Sequence, residues 1–230
     1  MKNIALVVPP NLGWLQIELH EKEINYLWKL IKNKKDNTKH RLVGHIDSSY
    51  TIVDKDNWFY DYVIKYCIQS YSKHFQDLGK KVPISKIHPY YLDHLWVNFQ
   101  KQNEFNPLHN HNGIYSFVIW LKIPTYHEEQ NKNLLAANAK TKKISQFNFV
   151  YTDILGKINC YEYKMNPIIE GTMLFFPSEL LHGVNPFYNC SDDRVSISGN
   201  VLLNSEYIQN EYISKNTSRA KTHKRIKNIN

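Results

Sequence analysis

After Gly79 the chain breaks into short runs of β-branched and aromatic residues, and this texture constrains its fold more than any other feature. The runs are Leu95–Phe99, Tyr115–Ile123, Phe147–Tyr151, Cys160–Tyr163, Thr172–Phe176 and Val195–Leu203. Asn, Pro, Gly and Asp separate them, which is the punctuation found between strands. Sixteen tyrosines and ten phenylalanines suit such strands, since aromatic rings fit pleated, half-buried surfaces.

Before Gly79 the period is helical. Ile24, Leu27, Trp28 and Ile31 predict an amphipathic helix over roughly 18–32, and Ile64, Cys67, Ile68, Tyr71 and Phe75 predict a longer one over roughly 57–77. Lys32 to His40 reads as a polar loop between them. Two helices followed by many short strands give an α+β, mainly β domain, with a helical flank packed on a sandwich or barrel. Thr125 to Lys143 interrupts the strand pattern, with Leu134–Ala137 suited to one helical turn. Loops of that length often serve as lids or substrate loops.

At 230 residues and 42% hydrophobic content the chain suits one globular domain with a real core. Cys67, Cys160 and Cys190 are odd in number and scattered, which argues against a disulfide framework and for a reducing compartment. The apolar run Ile4–Val8, cut off by Pro9-Pro10, is too short for a signal segment or a bilayer span. A cytoplasmic protein without membrane contact is therefore expected. Net charge is +8, gathered in two clusters: Lys29, Lys32, Lys34, Lys35, Lys39 and Arg41, and then Lys215, Arg219, Lys221, Lys224, Arg225 and Lys227. Basic tails bind nucleic acid or acidic partners. Few aromatics interleave this one for base stacking, which favours a solvated, lysine-rich surface. No feature bears on oligomeric state.

His109-Asn110-His111 precedes the strand-like run from Tyr115, and His182 follows the run from Thr172. Residues i and i+2 of an extended segment point the same way, so His109 and His111 can grip one ion. A third imidazole from a distant strand closes a three-point face, and the opposite face stays open, as in a mononuclear non-heme iron site. Arg194 and Ser196 share one face of the last run. Between residues 42 and 218 Arg194 is the only arginine among many lysines. Its planar fork matches a carboxylate, and such charge-assisted bonds contribute about 1.5–3 kcal/mol each. A surface pair with Asp192 or Asp193 is the competing reading. His45-Ile46-Asp47 copies a His-x-Asp pattern but precedes the long helix without a matching His and Arg in strands. His88 and His94 read as structural, and His20, His40, His74, His127 and His223 as residues in polar surroundings.

Gly171 through Val184, followed by Arg194-Val195-Ser196-Ile197-Ser198-Gly199-Asn200, resembles the C-terminal half of an iron(II)/2-oxoglutarate-dependent dioxygenase. Within that superfamily it resembles the prolyl-4-hydroxylase-like oxygenases of phage and marine microbes. Trp96-Val97-Asn98 ahead of the His-x-His, and Ser116 after it, fit the same group, and the resemblance covers roughly 90–203. It implies a double-stranded β-helix (jelly-roll, cupin-like) core with N-terminal flanking helices. The division would be one oxygenase domain over 1–206, with a helical flank over 1–79 and the core over 80–206, then a basic tail over 207–230. His109, His111 and His182 would hold Fe(II). Arg194 would bind the distal carboxylate of 2-oxoglutarate, with Ser196 as its hydrogen-bonding neighbour. Trp96, Asn98, Tyr115, Trp120 and Asn200 are candidate pocket-lining residues, although strand alternation turns some of them outward.

The commoner triad of the superfamily is His-x-Asp…His, and this chain has a neutral imidazole at position 111. His111 is either a direct ligand or the neighbour of a water in the carboxylate's place. The resemblance implies conversion of 2-oxoglutarate and O2 to succinate and CO2, with hydroxylation of a peptide or protein side chain. A small-molecule substrate, or nucleic acid met through the basic tail, fits the same machinery. A three-histidine cupin-type dioxygenase without 2-oxoglutarate is the enzyme alternative, and Arg194-x-Ser196 speaks against it. A non-enzymatic jelly-roll module explains the strands but not the histidines with Arg194. A viral protein in a host cytoplasm is a compatible source.

Overall fold

The computed structural model describes residues 5, 9, 11–84 and 88–204; the basic tail lies outside them. Among the described residues ten strands run in chain order as β1 Leu15–Glu18, β2 Ser48–Thr51, β3 Tyr90–Gln100, β4 Asn106–His109, β5 Tyr115–Lys122, β6 Gln146–Thr152, β7 Ile158–Lys164, β8 Thr172–Pro177, β9 Leu181–Val184 and β10 Arg194–Leu203. They form two sheets, one in the order β1-β8-β5-β10-β3-β2 and one in the order β4-β9-β6-β7. Every named pairing is antiparallel. The mainly β architecture with flanking helices is the expected one. Four short strands, β1, β2, β4 and β9, add to the six that the sequence pattern predicts. Two of these come from the N-terminal flank, which is therefore not purely helical: β1 pairs with β8 and β2 with β3.

Helix α1 is Glu21–Lys32, starting later than the pattern predicts because Leu15–Glu18 is spent on β1. Its start is capped: the His20 N–H donates to Glu23 Oε2 at 2.7 Å. Glu21 and Glu23 in the first turn, and Lys29 and Lys32 in the last, complement the helix dipole. The second helical stretch is a π turn, Tyr60–Ile64, continued by α2, Lys65–His74. Asp54 accepts from the backbone N–H groups of Phe59 and Tyr60 at 2.8 and 2.9 Å, which satisfies donors a helix start leaves open. The long insertion carries two single turns, α3 His127–Gln130 and α4 Leu134–Ala137.

Alternation along the large sheet sorts its side chains into two groups. Leu95 and Val97, Phe117 and Ile119, Phe175, and Ile197 face the helices and pack with Leu27, Ile64, Ile68 and Tyr71. Burying each such side chain contributes about 1.5–3 kcal/mol, so this layer fixes the helical flank to the sheet. The opposite face of the same strands meets the small sheet, where Val118, Trp120, Phe147, Phe149, Leu174 and Phe176 form a second core. A cavity opens beside that second core.

Candidate metal centre

His109 ends β4 and His182 lies in β9, where the two are direct cross-strand partners. His111 follows two residues after His109, and its backbone N–H donates to Ser178 O at 2.9 Å. The turn beyond it depends on Gly113, whose φ of 115° is open to glycine. A Cβ there would stand 3.0 Å from Val201 O, so the close approach demands glycine twice over.

The three rings converge, with centroids 5.0 Å apart for His109–His111, 4.4 Å for His109–His182 and 4.9 Å for His111–His182. One nitrogen from each lies within 4.8 Å of the others. His109 Nδ1–H donates to Pro107 O at 2.7 Å, and His182 Nδ1–H donates to Leu180 O at 2.8 Å. Those bonds place the proton on Nδ1 and leave each Nε2 lone pair bare, as metal-binding histidines require. His111 Nε2 and His182 Nε2 are 3.1 Å apart. Two nitrogens bound at right angles to one ion, each at about 2.1 Å, stand about 3.0 Å apart. The residues present therefore fit a metal ion with nitrogen ligands.

Burial keeps these imidazoles neutral. Phe176 crosses His182 edge-on at 4.9 Å and Trp96 lies 5.6 Å from His111. Desolvation pulls His182 down to about 3 and His111 to about 4, and neighbouring histidines push the same way. His109 is also lowered, chiefly by burial.

Arg194 stands at the first residue of β10, only 1% exposed, and lines the same cavity of about 370 Å³ as the three histidines. That volume is at the small end of ligand sites and suits a small acid with one side chain of a substrate. Nη2 of Arg194 donates to Ser145 Oγ at 2.7 Å and Nη1 to Gln100 Oε1 at 3.3 Å. Phe187 lies under the guanidinium at 4.8 Å. Nε has no partner, and Arg194 forms no ion pair among the described residues. Asp192 pairs with Lys122 instead, at 3.1 Å. Desolvation lowers the guanidinium to about 9, which leaves it cationic at neutral pH. A buried cation without an anion is costly, and a carboxylate entering the cavity would supply the missing charge.

The cavity brings together most of the residues singled out from sequence. Ser196, Trp96, Asn98, Trp120 and Asn200 line it with the triad and Arg194. Asn98 Oδ1 accepts from Ser49 Oγ at 2.6 Å, and Asn200 Oδ1 from Ser116 Oγ at 2.8 Å, so both carboxamides are fixed. Tyr115 is not a pocket residue. It is fully buried on the helix side of β5, 5.1 Å from Tyr71 and 4.9 Å from Phe175. Alternation explains this: Ser116, Val118 and Trp120 take the inner face. His127 also departs from expectation, being 3% exposed with Nδ1 against Ser145 O at 3.2 Å. Ser145 and Gln100, which hold Arg194, have no signal in the sequence pattern. His45 stacks on Phe105 at 4.7 Å and Asp47 pairs with Lys39, so the His-x-Asp copy is structural. His88 Nδ1 bonds Asn204 O at 3.0 Å, a structural contact, and His94 pairs with Asp93 at the cavity lining.

A metal-ready imidazole face and an unpaired buried cation in one β-walled cavity define a metal-dependent enzyme with an acidic cosubstrate. Residues 94–200 match the family model described as "Putative 2OG-Fe(II) oxygenase". Its members are dioxygenases and hydroxylases that use Fe(II), 2-oxoglutarate and O2. The fold is similar to that of a prolyl-4-hydroxylase from Pseudomonas putida, with 13% identity, TM-score 0.52, and 84% of this chain and 94% of that chain covered. The viral collagen prolyl hydroxylase of Paramecium Bursaria Chlorella virus-1 gives 13% identity and TM-score 0.47 over 82% and 94% of the two chains. A Trichoplax adhaerens prolyl hydroxylase in complex with a hypoxia inducible factor peptide fragment gives 14% identity and TM-score 0.47 over 85% and 84%. No curated protein matches the sequence.

Proposed function

We propose that this oxygenase hydroxylates an uncharged side chain of a peptide or protein, converting 2-oxoglutarate and O2 to succinate and CO2. His109, His111 and His182 hold Fe(II), and Arg194 takes the distal carboxylate of 2-oxoglutarate with Ser196 beside it. The observation that carries this reading is Arg194 itself, a fully desolvated cation lining the triad's cavity with Nε unpartnered. A three-histidine enzyme without an acid cosubstrate has no use for it.

Bound together, iron and 2-oxoglutarate supply the oxidising chemistry, and the protein's part is to orient and to keep water out. Carbonyls of Pro107 and Leu180 hold the imidazoles in one tautomer before any metal arrives. Phe147, Phe176 and Trp120 wall the cavity, which lowers the local dielectric and strengthens the pull of Arg194 on a carboxylate. Substrate class follows from the lining. Arg194 is the single Lys or Arg among the lining residues, so none remains to meet a phosphate backbone. This favours a peptide over nucleic acid. The basic tail, on which the nucleic-acid alternative depends, lies outside the described residues. We also read 1–206 as one oxygenase domain, because strands from the flank complete the large sheet. Among the described residues no helix is long and apolar enough to cross a membrane.

Anaerobic addition of Fe(II) and 2-oxoglutarate should give a visible charge-transfer band, and folded protein without the band would sink the cofactor assignment. Succinate release should then rise with peptides and not with single-stranded DNA; stimulation by DNA alone would replace the substrate assignment.

A further inference from the structure

Ser145 ends the long insertion between β5 and β6. It is fully buried and holds φ of 54°, a left-handed backbone that non-glycine residues seldom adopt. Five neighbours surround it there. Its N–H donates to Pro186 O at 2.9 Å, and its carbonyl accepts from Met165 N–H at 3.1 Å and His127 Nδ1 at 3.2 Å. Its hydroxyl accepts from Arg194 Nη2 at 2.7 Å and faces Thr125 Oγ1 at 3.4 Å. Thr125 thus offers an oxygen toward which the serine proton can turn, away from the cation.

The contrast with Gln100 assigns the role. Gln100 lines the cavity and meets Arg194 at a longer 3.3 Å, with its amide orientation set by donation to Glu104 O. Ser145 lies outside the cavity lining, behind the guanidinium, and makes the shorter contact. A strained backbone persists where its surroundings over-determine it, and such positions gather at functional sites. Here the strain aims one hydroxyl at the cation.

We propose that Ser145 is a positioning residue for the acidic cosubstrate, acting through Arg194. It fixes Nη2 and with it the plane of the guanidinium that lines the cavity. The proposal rests on Arg194 being the 2-oxoglutarate-binding residue. It also ties the cosubstrate to the surface. Ser145 O holds His127 of α3, and Asn131 Nδ2 donates to Ile144 O at 3.0 Å. The exposed turn at Leu134 and Leu135 is thereby anchored at its base to the carboxylate site.

The test is calorimetric titration of 2-oxoglutarate into the full chain loaded with Mn(II), for wild type, Ser145→Gly, Arg194→Lys and the double variant. Glycine accepts the left-handed backbone and removes only the hydroxymethyl group. Ser145→Gly should raise the Kd for 2-oxoglutarate roughly tenfold, with Mn(II) affinity unchanged. In the Arg194→Lys background the same change should shift Kd by less than about twofold, because its effect runs through the arginine. Hydrogen exchange in 126–145 should slow on adding 2-oxoglutarate to wild type and not to Ser145→Gly. A wild-type Kd in Ser145→Gly, or an equal loss in both backgrounds, overturns the proposal. If Ser145→Gly does not fold, Ser145→Ala carries the same comparison. A wild type that takes Mn(II) but no 2-oxoglutarate overturns the Arg194 assignment and this proposal together.

Discussion

His109 and His182 stand directly opposite each other on adjacent antiparallel strands, and the Nε2 of His111, two residues beyond, comes within 3.1 Å of the Nε2 of His182. One cross-strand pair and one i+2 step therefore assemble the whole imidazole face. Folding has already fixed the rings, so an incoming ion meets little further cost of ordering.

The His111 position is where direct ligation can be separated from support. Loss of a residue that only hydrogen-bonds around a metal costs about 10–100-fold in affinity. His109→Ala, His111→Ala and His182→Ala are each expected to lower Mn(II) affinity by more than about a hundredfold in calorimetry. A loss confined to about tenfold in His111→Ala alone would move that residue behind a water.

Arg194 makes a second prediction, read as heat stability. A ligand that binds only the folded state stabilises it by about 2.7 kcal/mol at a hundred times its Kd. Saturating 2-oxoglutarate with Mn(II) should therefore raise Tm in wild type. Arg194→Lys keeps the charge, loses the fork, and should require roughly tenfold or more cosubstrate for the same rise. An identical titration curve would remove Arg194 from the carboxylate site.

Acid should unfold the metal-free protein from a defined side. His182 and His111 are held near 3 and 4 by burial, against about 6.5 in an unfolded chain. Above about 6.5 both states carry neutral imidazole and nothing changes. As pH falls below that value the unfolded chain takes up protons that the folded one refuses, so stability declines until the folded values are passed. Urea midpoints of chelator-treated protein between pH 7 and 4 measure this, and His182→Phe should flatten the slope. Mn(II) competes with those protons and should shift the decline to lower pH.

Tyr115 separates the two faces of β5. Its hydroxyl accepts from Leu78 N–H at 3.1 Å on the helix side. Tyr115→Phe should cost about 1 kcal/mol of stability and leave 2-oxoglutarate affinity unchanged. A weakened cosubstrate with unaltered stability would place the ring in the cavity after all.

What the sequence made legible was whatever has a long period or a rare residue type. Val195–Leu203 and Tyr115–Ile123 read as strands because they run long enough to show β character, whereas β4 and β9 are four residues each and show no such run. The triad and Arg194 stood out as residue types, and the fold gathers them. Ser145 could not stand out, since a serine between Ile144 and Gln146 announces neither its left-handed backbone nor an arginine far along the chain. His127 misled for a related reason: its neighbours Tyr126, Glu128 and Glu129 look solvated, yet the ring turns inward against Ser145. Tyr115 failed on phase, because the pattern shows alternation without saying which residue starts it.

β10 runs between β5 and β3, with Arg194, Ser196, Ser198 and Asn200 toward the cavity and Val195, Ile197 and Val201 toward the helices. Inserting or deleting a single residue near its start would exchange the two sets, turning Arg194 and Ser196 into the apolar layer and the valines into the cavity. Evolution can therefore retune this strand by replacement but not by change of length, and length variation among homologues should gather in the insertion before β6 instead.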